Sequence, residues 1–314
     1  MDAAAAGREA LGPVWQRALA WVEASADVFE IREPLPGTAA LSSLKAAGEV
    51  ARLAEAVGRA PGLPSAAQAL VARLIERSWR SFREGALLAE LLDARPDLAG
   101  LGALYAPFHR RGLVHEGTRA RLARLWSAPR APFPRASGGK RPEPGGGVQM
   151  ASDAPWVLAL SVADAQQALG FPVPEERVAG LLAATLLGRC QAGQPDAAFV
   201  SSVAHAALFA TDCGARPLAV APEARAYLRA RGPGWMNECL GRGDLDAWAE
   251  LVLALACVDE TEAAGAADEV LRAAQRPDGS LPGRPRLAYH ATLTGALASF
   301  AATVGLARAP RSPG

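Results

Sequence analysis

The segment Leu41–Val57, LSSLKAAGEVARLAEAV, decides the fold class because its apolar residues follow the period of an α-helix. These residues recur at steps of three and four, which aligns them along one side of a helix: Leu44, Ala47, Val50, Leu53, Ala54 and Val57. Ala, Leu, Arg and Glu, which are strong helix formers, also dominate the rest of the chain. The sequence therefore predicts an all-α protein.

The same analysis predicts about a dozen helices separated by Gly and Pro. Besides 41–57, they cover 10–25, 65–82, 84–93, 117–127, 155–168, 174–190, 196–211, 221–230, 244–258, 260–275 and 289–306. Pro96 and the segment Gly232–Gly234 are among the predicted breaks.

A segment rich in Pro and Gly divides the chain. Residues 128–153 hold few large apolar side chains, so we expect a flexible linker between an N-terminal half, 1–127, and a C-terminal half, 154–309. The tail 310–314 is expected to fray. Helical hairpins that bury one face need neighbours on both sides, so we expect the two halves to build one ring.

Composition excludes several classes of protein. The chain has 33 basic and 32 acidic residues and a net charge of +1, so it has no field that would attract nucleic acid or an anionic membrane. No apolar run approaches the ~20 residues of a membrane span, and the N-terminus lacks the pattern of a secretion signal, so we expect a cytoplasmic protein. No C-x-x-C pair and no fingerprint for NAD, FAD or ATP is present.

Two neighbouring motifs carry a family resemblance. The segment Gln275–Leu281, QRPDGSL, resembles the Q-x-x-x-G-x-W repeat of α/α toroids such as squalene-type terpene cyclases and protein prenyltransferase β subunits, with Leu281 in place of the aromatic residue. Tyr289, His290 and Thr292 resemble the Y-H-T start of an inner helix in that fold, where the prenyltransferase histidine binds zinc. The resemblance implies a ring of inner and outer helices.

The activities of those families are not expected to accompany the fold. The D-x-C, D-x-D-D, D-D-x-x-D and C-H-G motifs of prenyltransferases, terpene cyclases and lanthionine cyclases are absent. Residues 205–214 and 244–251 are similar to a family of actinobacterial proteins associated with the same toroid. Residues 204–214 resemble its T-H-x-x-F-x-x-T-D-x-G pattern, with Ala204 in place of the first Thr and Leu208 in place of Phe.

Two histidines and three carboxylates are the candidate catalytic residues. His205 and His290 lie in otherwise apolar helices, where a polar group needs a partner or a cavity. Asp246 and Glu250 are four residues apart and share a helix face, and Asp212 ends the His205 helix. In a toroid these side chains converge at one mouth of the ring. The alternatives are core histidines bonded to carbonyl oxygens, and carboxylates that cap helices, as we expect for Asp244.

The sequence leaves two kinds of chemistry open for these residues. His205, His290, Asp246 and Glu250 are candidate ligands of Zn²⁺ or Fe²⁺, or they serve as general acid and base without a metal. The predicted pocket lining comprises Tyr289, Thr292, Trp248 and Thr211.

Two functions fit these observations. The first is a tailoring enzyme of bacterial specialised metabolism that acts on a small molecule or a modified peptide. The alternative is a non-catalytic toroid that binds a partner protein, a carrier peptide or a small ligand.

Overall fold

The computed structural model describes residues 12–31, 38–127, 154–190, 196–216, 218, 222–258, 265–283 and 288–306. Within these ranges it contains thirteen α-helices and no strand, which confirms the all-α prediction. The helices are α1 Val14–Ala24, α2 Thr38–Gly58, α3 Ser65–Ser81, α4 Ala86–Ala94, α5 Ala106–Arg110, α6 Glu116–Ser127, α7 Ala154–Ala168, α8 Glu175–Ala183, α9 Ala197–Ala210, α10 Pro222–Gly241, α11 Leu245–Cys257, α12 Ala267–Ala274 and α13 Ala288–Thr303. The predicted linker 128–153 and the tail 310–314 lie outside the described residues.

Six of the described helices contact one another in a closed order, and we call them the helix cycle. Helix α2 packs on α5, α5 on α7, α7 on α9, α9 on α11, α11 on α13, and α13 again on α2. Other helices pack against members of the cycle: α3 against α2, α8 against α7, α10 against α11, and both α1 and α12 against α13. Both halves of the chain contribute helices to the cycle. Over the described ranges, no helix meets the length and hydropathy required of a bilayer span.

The turn between α12 and α13 contacts α1, the first helix of the chain. The Gln275 side chain donates from Nε2 to the carbonyl oxygens of Gly279 (2.8 Å) and Val14 (3.1 Å). Gly279 has φ 95°, and a Cβ atom there would lie 2.4 Å from the carbonyl oxygen of Arg17. Only glycine permits both this backbone conformation and this approach, so the turn depends on that residue.

Helix boundaries depart from the sequence-based prediction in three places. Helix α10 continues through Pro233, and Gly232 packs closely against α11, where a Cβ atom would lie 2.9 Å from Leu255 Cδ2. Helix α8 ends at Ala183 rather than near residue 190, and the Thr185 hydroxyl donates to the Leu182 carbonyl oxygen (2.7 Å) in the turn that follows. A 3₁₀ helix, Pro96–Leu104, and helix α5 occupy a stretch for which no helix was predicted.

Candidate active site

Three neighbouring helices of the cycle bring the predicted histidines and two of the carboxylates together. His205 comes from α9, Asp246 and Glu250 from α11, and His290 from α13. Helix α11 starts where predicted because the Asp244 side chain accepts a hydrogen bond from the Ala247 backbone N–H (3.3 Å), which confirms Asp244 as its N-cap. We call this group the histidine–carboxylate site.

Asp246 holds the imidazole of His290. His290 Nδ1 lies 3.0 Å and 3.2 Å from the two carboxylate oxygens of Asp246, and the Thr294 hydroxyl lies 2.9 Å from Asp246 Oδ1. Burial opposes the imidazolium charge, but the hydrogen bond to Asp246 and the negative charges of Glu49 and Asp246 outweigh it and raise the pKa of His290 to about 9. His290 is therefore a proton donor at both ring nitrogens near neutral pH.

Glu250 lies between the two histidines. Its side chain is 5% exposed, and its Oε1 lies 4.0 Å from His290 Nε2 and 4.0 Å from His205 Nδ1. The Ser201 hydroxyl donates to the same oxygen over 3.4 Å. Burial raises the pKa of Glu250 to about 8; the charge of His290 opposes this shift and that of Asp246 adds to it. At neutral pH the carboxyl therefore holds its proton.

His205 is placed as a neutral imidazole. Its Nδ1 lies 2.7 Å from the backbone carbonyl oxygen of Ser201, which can only accept, so Nδ1 carries the proton and Nε2 carries the lone pair. Burial, together with the positive charges of His290, Lys45 and Arg52, outweighs the bond to Ser201 and lowers the pKa of His205 to about 4. The side chain is nevertheless 32% exposed, and within the described residues Nε2 has no hydrogen-bond partner. Nε2 is therefore open to a bound molecule.

A second group of charges meets at the other end of α2 and α9. This arginine cluster consists of Arg52, Arg59, Arg110, Arg216, Glu55, Asp164 and Asp212. Asp164 is almost fully buried, and its Oδ1 lies 2.9 Å from Arg110 Nη2 and 3.0 Å from Arg216 Nη2. Since these residues come from α2, α5, α7 and the segment after α9, the cluster ties both halves of the chain together.

Asp212 belongs to the arginine cluster, which corrects its prediction as a catalytic partner of the histidines. Its carboxylate lies 3.1 Å from Arg59 Nη1 and 2.9 Å from Arg110 Nη2. Asp212, Cys213 and Gly214 have φ values of 51°, 51° and 84°, so three consecutive residues are left-handed. This sharp turn at the end of α9 directs the Asp212 carboxylate toward α2 and α5, and away from the histidine–carboxylate site.

Three of the four predicted lining residues are structural, and their prediction is corrected. Thr292 is buried, and its Oγ1 accepts a hydrogen bond from the Leu281 backbone N–H (3.0 Å). Thr211 is buried and donates to the Ala207 carbonyl oxygen (2.7 Å), and Trp248 belongs to the apolar core. Each of these three side chains points into the packing between its own helix and the neighbouring ones.

The fourth predicted lining residue, Tyr289, adjoins the site through α2. Burial, together with the charge of the nearby Glu49 carboxylate, raises the pKa of Tyr289. Its ring packs edge-to-face on Phe29 with centroids 5.7 Å apart.

The arrangement of the described His, Cys, Asp and Glu side chains bears on the predicted metal centre. In the described part of the chain, no three His, Cys, Asp or Glu side chains are placed to hold one ion. Nδ1 of His290 faces Asp246 and Nδ1 of His205 faces the Ser201 carbonyl oxygen, which leaves Nε2 of each ring for another partner. The four residues converge, but they face one another as donors and acceptors.

The sequence-based selection missed the contribution of α2. Lys45, Glu49 and Arg52 recur at steps of four and three, so they share one face of that helix. Glu49 lies near His290 and Tyr289, and the Arg52 guanidinium lies 4.9 Å above the Phe209 ring of α9. The polar spacing was a usable signal in the segment that shows the helical period most clearly.

No curated protein and no solved structure matches the chain. One family model, described as "Domain of unknown function (DUF6895)", matches residues 15–137 and 144–300. These two segments cover most of the chain and include every residue of the histidine–carboxylate site and of the arginine cluster. The chain is therefore a member of the DUF6895 family.

Proposed function

We propose that this protein is an acid–base enzyme that moves a proton on a substrate held inside a toroid. The observation that carries the proposal is the placement of the Glu250 carboxyl, 4.0 Å from a ring nitrogen of His205 and 4.0 Å from a ring nitrogen of His290. The two imidazoles have opposite environments, because one is held by a carboxylate and the other by a backbone carbonyl oxygen. Titratable groups whose pKa values are driven apart are typical of an acid and a base with separate roles.

The order of helix contacts supports the toroid. A ring of inner helices has each helix packed on the next and the last on the first, as in the helix cycle. Side chains also meet across the cycle: Arg52 of α2 contacts Phe209 of α9 and Asp164 of α7, although α2 packs on neither helix as a cycle neighbour. These polar side chains then line the interior, where a small molecule or the end of a peptide can enter.

The proposed chemistry assigns one role to each group. His205 takes a proton from the substrate at Nε2, the nitrogen that carries the lone pair. The Glu250 carboxyl, which holds its proton at neutral pH, donates that proton at a second atom of the substrate. Asp246 positions His290, whose charge lies beside Glu250 and stabilises the carboxylate that forms. One proton leaves the substrate and one returns, so no redox partner is needed.

Chemical modification tests the two environments directly. Diethyl pyrocarbonate acylates only unprotonated imidazole, so near pH 6 we expect mass spectrometry to find His205 modified at Nε2 and His290 protected. Asp246→Asn should make His290 reactive, while His109, which lies outside the site, serves as a reference histidine in both proteins. Equal reactivity of His205 and His290 in the unmodified sequence would contradict the assignment of acid and base.

Solvent deuterium tests the catalytic step. Incubation of the protein in D₂O with small-molecule extract from bacterial cells should add deuterium to a specific compound, detected by mass spectrometry. His205→Gln and Glu250→Gln should abolish the incorporation, and His109→Gln should leave it intact. A compound retained by the protein without deuterium incorporation would favour the binding function instead. The setting we propose, tailoring in bacterial specialised metabolism, predicts that the compound is a small natural product or a modified peptide.

A further inference from the structure

Arg52 lies at the inner edge of the histidine–carboxylate site and is not used by the acid–base steps. Its guanidinium carbon is 4.9 Å from the centroid of the Phe209 ring, and that ring lies 5.7 Å from the ring of His205. Phe209 follows His205 by four residues, which is a rise of about 6 Å along a helix. Phe209 therefore connects Arg52 to the helical turn of α9 next to that of His205.

Much of the hydrogen-bonding capacity of Arg52 is unused. Nη2 donates to the Ala103 carbonyl oxygen (3.0 Å), and Nη1 lies 3.7 Å from Asp164 Oδ2, which is longer than a hydrogen bond. Within the described residues no acceptor is recorded for Nε, although the side chain is 17% exposed and can be reached. Asp164 shares its charge among three arginines, since its Oδ1 contacts Arg110 and Arg216 and only its Oδ2 lies near Arg52.

We propose that Arg52 binds a carboxylate group of the substrate, which makes the substrate a small carboxylic acid. The guanidinium presents two parallel N–H donors, the geometry that a carboxylate accepts. The proposal rests on the proposed acid–base function, since it places the reacting atom at His205. It extends that function by naming the class of substrate and the residue that positions it.

The charges along the path permit an anion to reach Arg52. Asp246 is paired with His290 at 3.0 Å, and Glu49 is paired with Lys45 at 3.5 Å. Glu250, the remaining carboxyl of the site, is buried and holds its proton at neutral pH. Lys45 and Arg52 of α2 lie near enough to His205 for their positive charges to lower its pKa.

The test uses butyrate as probe and the imidazole of His205 as reporter. In the unmodified protein, millimolar butyrate should shift the ¹⁵N signals of the His205 ring and raise its pKa, because a nearby anion stabilises the imidazolium. Butyramide, which has the same shape without the charge, should do neither. Absence of any butyrate effect, or an equal effect of butyramide, would overturn the proposal without recourse to a variant.

Two variants assign the effect to Arg52. Arg52→Gln should weaken butyrate binding by at least about tenfold, since a charge-assisted bidentate contact is lost. Arg52→Lys keeps the charge, so its affinity for butyrate should lie between those of the unmodified protein and Arg52→Gln. The control is Arg73→Gln, which removes an exposed arginine of α3 paired with Glu23 and should bind butyrate as the unmodified protein does. Unchanged binding in a folded Arg52→Gln variant would refute the assignment.

A failure of the Arg52 proposal can be told apart from a failure of the proposed acid–base function. Glu250→Gln should lose deuterium incorporation but keep the butyrate response, because binding is an equilibrium that does not need the acid. If butyrate binds through Arg52 while His205 and His290 react equally with diethyl pyrocarbonate, the carboxylate site stands and the acid–base assignment fails. If butyrate does not bind through Arg52 while His205 reacts with diethyl pyrocarbonate and His290 does not, the carboxylate site fails and the acid–base assignment stands.

Discussion

The substitution Glu250→Gln should stabilise the protein at high pH and leave it nearly unchanged at low pH. The structure buries this carboxyl almost completely, so the folded protein holds the Glu250 proton more tightly than the unfolded chain does. Below the ordinary pKa of 4.5 the carboxyl is protonated in both the folded and the unfolded chain, so it does not lower the free energy of unfolding there. Stability then falls as the pH rises from 4.5 toward about 8, and it stays low at higher pH.

The magnitude follows from the two pKa values. At about 1.4 kcal/mol for each tenfold change in proton affinity, a pKa of about 8 in place of 4.5 lowers the free energy of unfolding by about 5 kcal/mol above both values. Near pH 5 the same difference lowers it by only about 1 kcal/mol. Glutamine has the same shape and no charge, so the advantage of the variant should grow by about 4 kcal/mol between about pH 5 and about pH 9.

Urea denaturation followed by circular dichroism at both pH values measures this difference. The contributions of groups that titrate alike in both proteins cancel when the free energy of unfolding of the variant is subtracted from that of the unmodified protein. The control is Glu76→Gln, which changes an exposed carboxyl of α3 and should show no such growth with pH. If Glu250→Gln destabilises the protein equally at both pH values, Glu250 is ionised throughout and forms a structural ion pair with His290. That result would refute both its protonated state and its role as the acid.

Three further predictions address the rest of the molecule. Asp246→Asn should lower the pKa of His290 from about 9 toward its ordinary 6.5, read by ¹⁵N titration of the ring, and an unchanged value would contradict the pairing. Gly279→Ala should lower the free energy of unfolding in urea by about 1–3 kcal/mol, whereas Gly234→Ala, at an open position within α10, should raise it by up to about 1 kcal/mol; equal effects would refute the strained turn. Asp164→Asn should cost about 3–5 kcal/mol in the same assay because buried arginines lose their partner, and a cost below about 1 kcal/mol would show that the arginine cluster is solvated.

Much of the helical structure follows from sequence because the signals are local. The apolar period of Leu41–Val57 and the cap at Asp244 act within a few residues, so they can be recognised without a neighbour. His205, His290 and Glu250 were also identifiable, because a polar group in an otherwise apolar helix has to find a partner. Their common location then followed once their helices were neighbours.

The remaining residues of the site depended on which helices meet. Arg52 and Glu49 lie on an amphipathic helix, where charged residues normally face water, and only the packing of α2 into the helix cycle turns this face inward. Asp212 and Asp246 look alike in sequence, but a left-handed turn sends Asp212 to the arginines while the start of α11 brings Asp246 to His290.

The sequence by itself determined the helices and the polar residues that must be satisfied inside them. Only the tertiary structure decided that Asp246 pairs with His290, that Asp212 does not, and that Arg52 reaches Phe209 of α9. The physical reason is the range of the forces. Helix period and capping act over one or two turns, whereas the partner of a buried charge is set by close packing among helices that are distant in the chain.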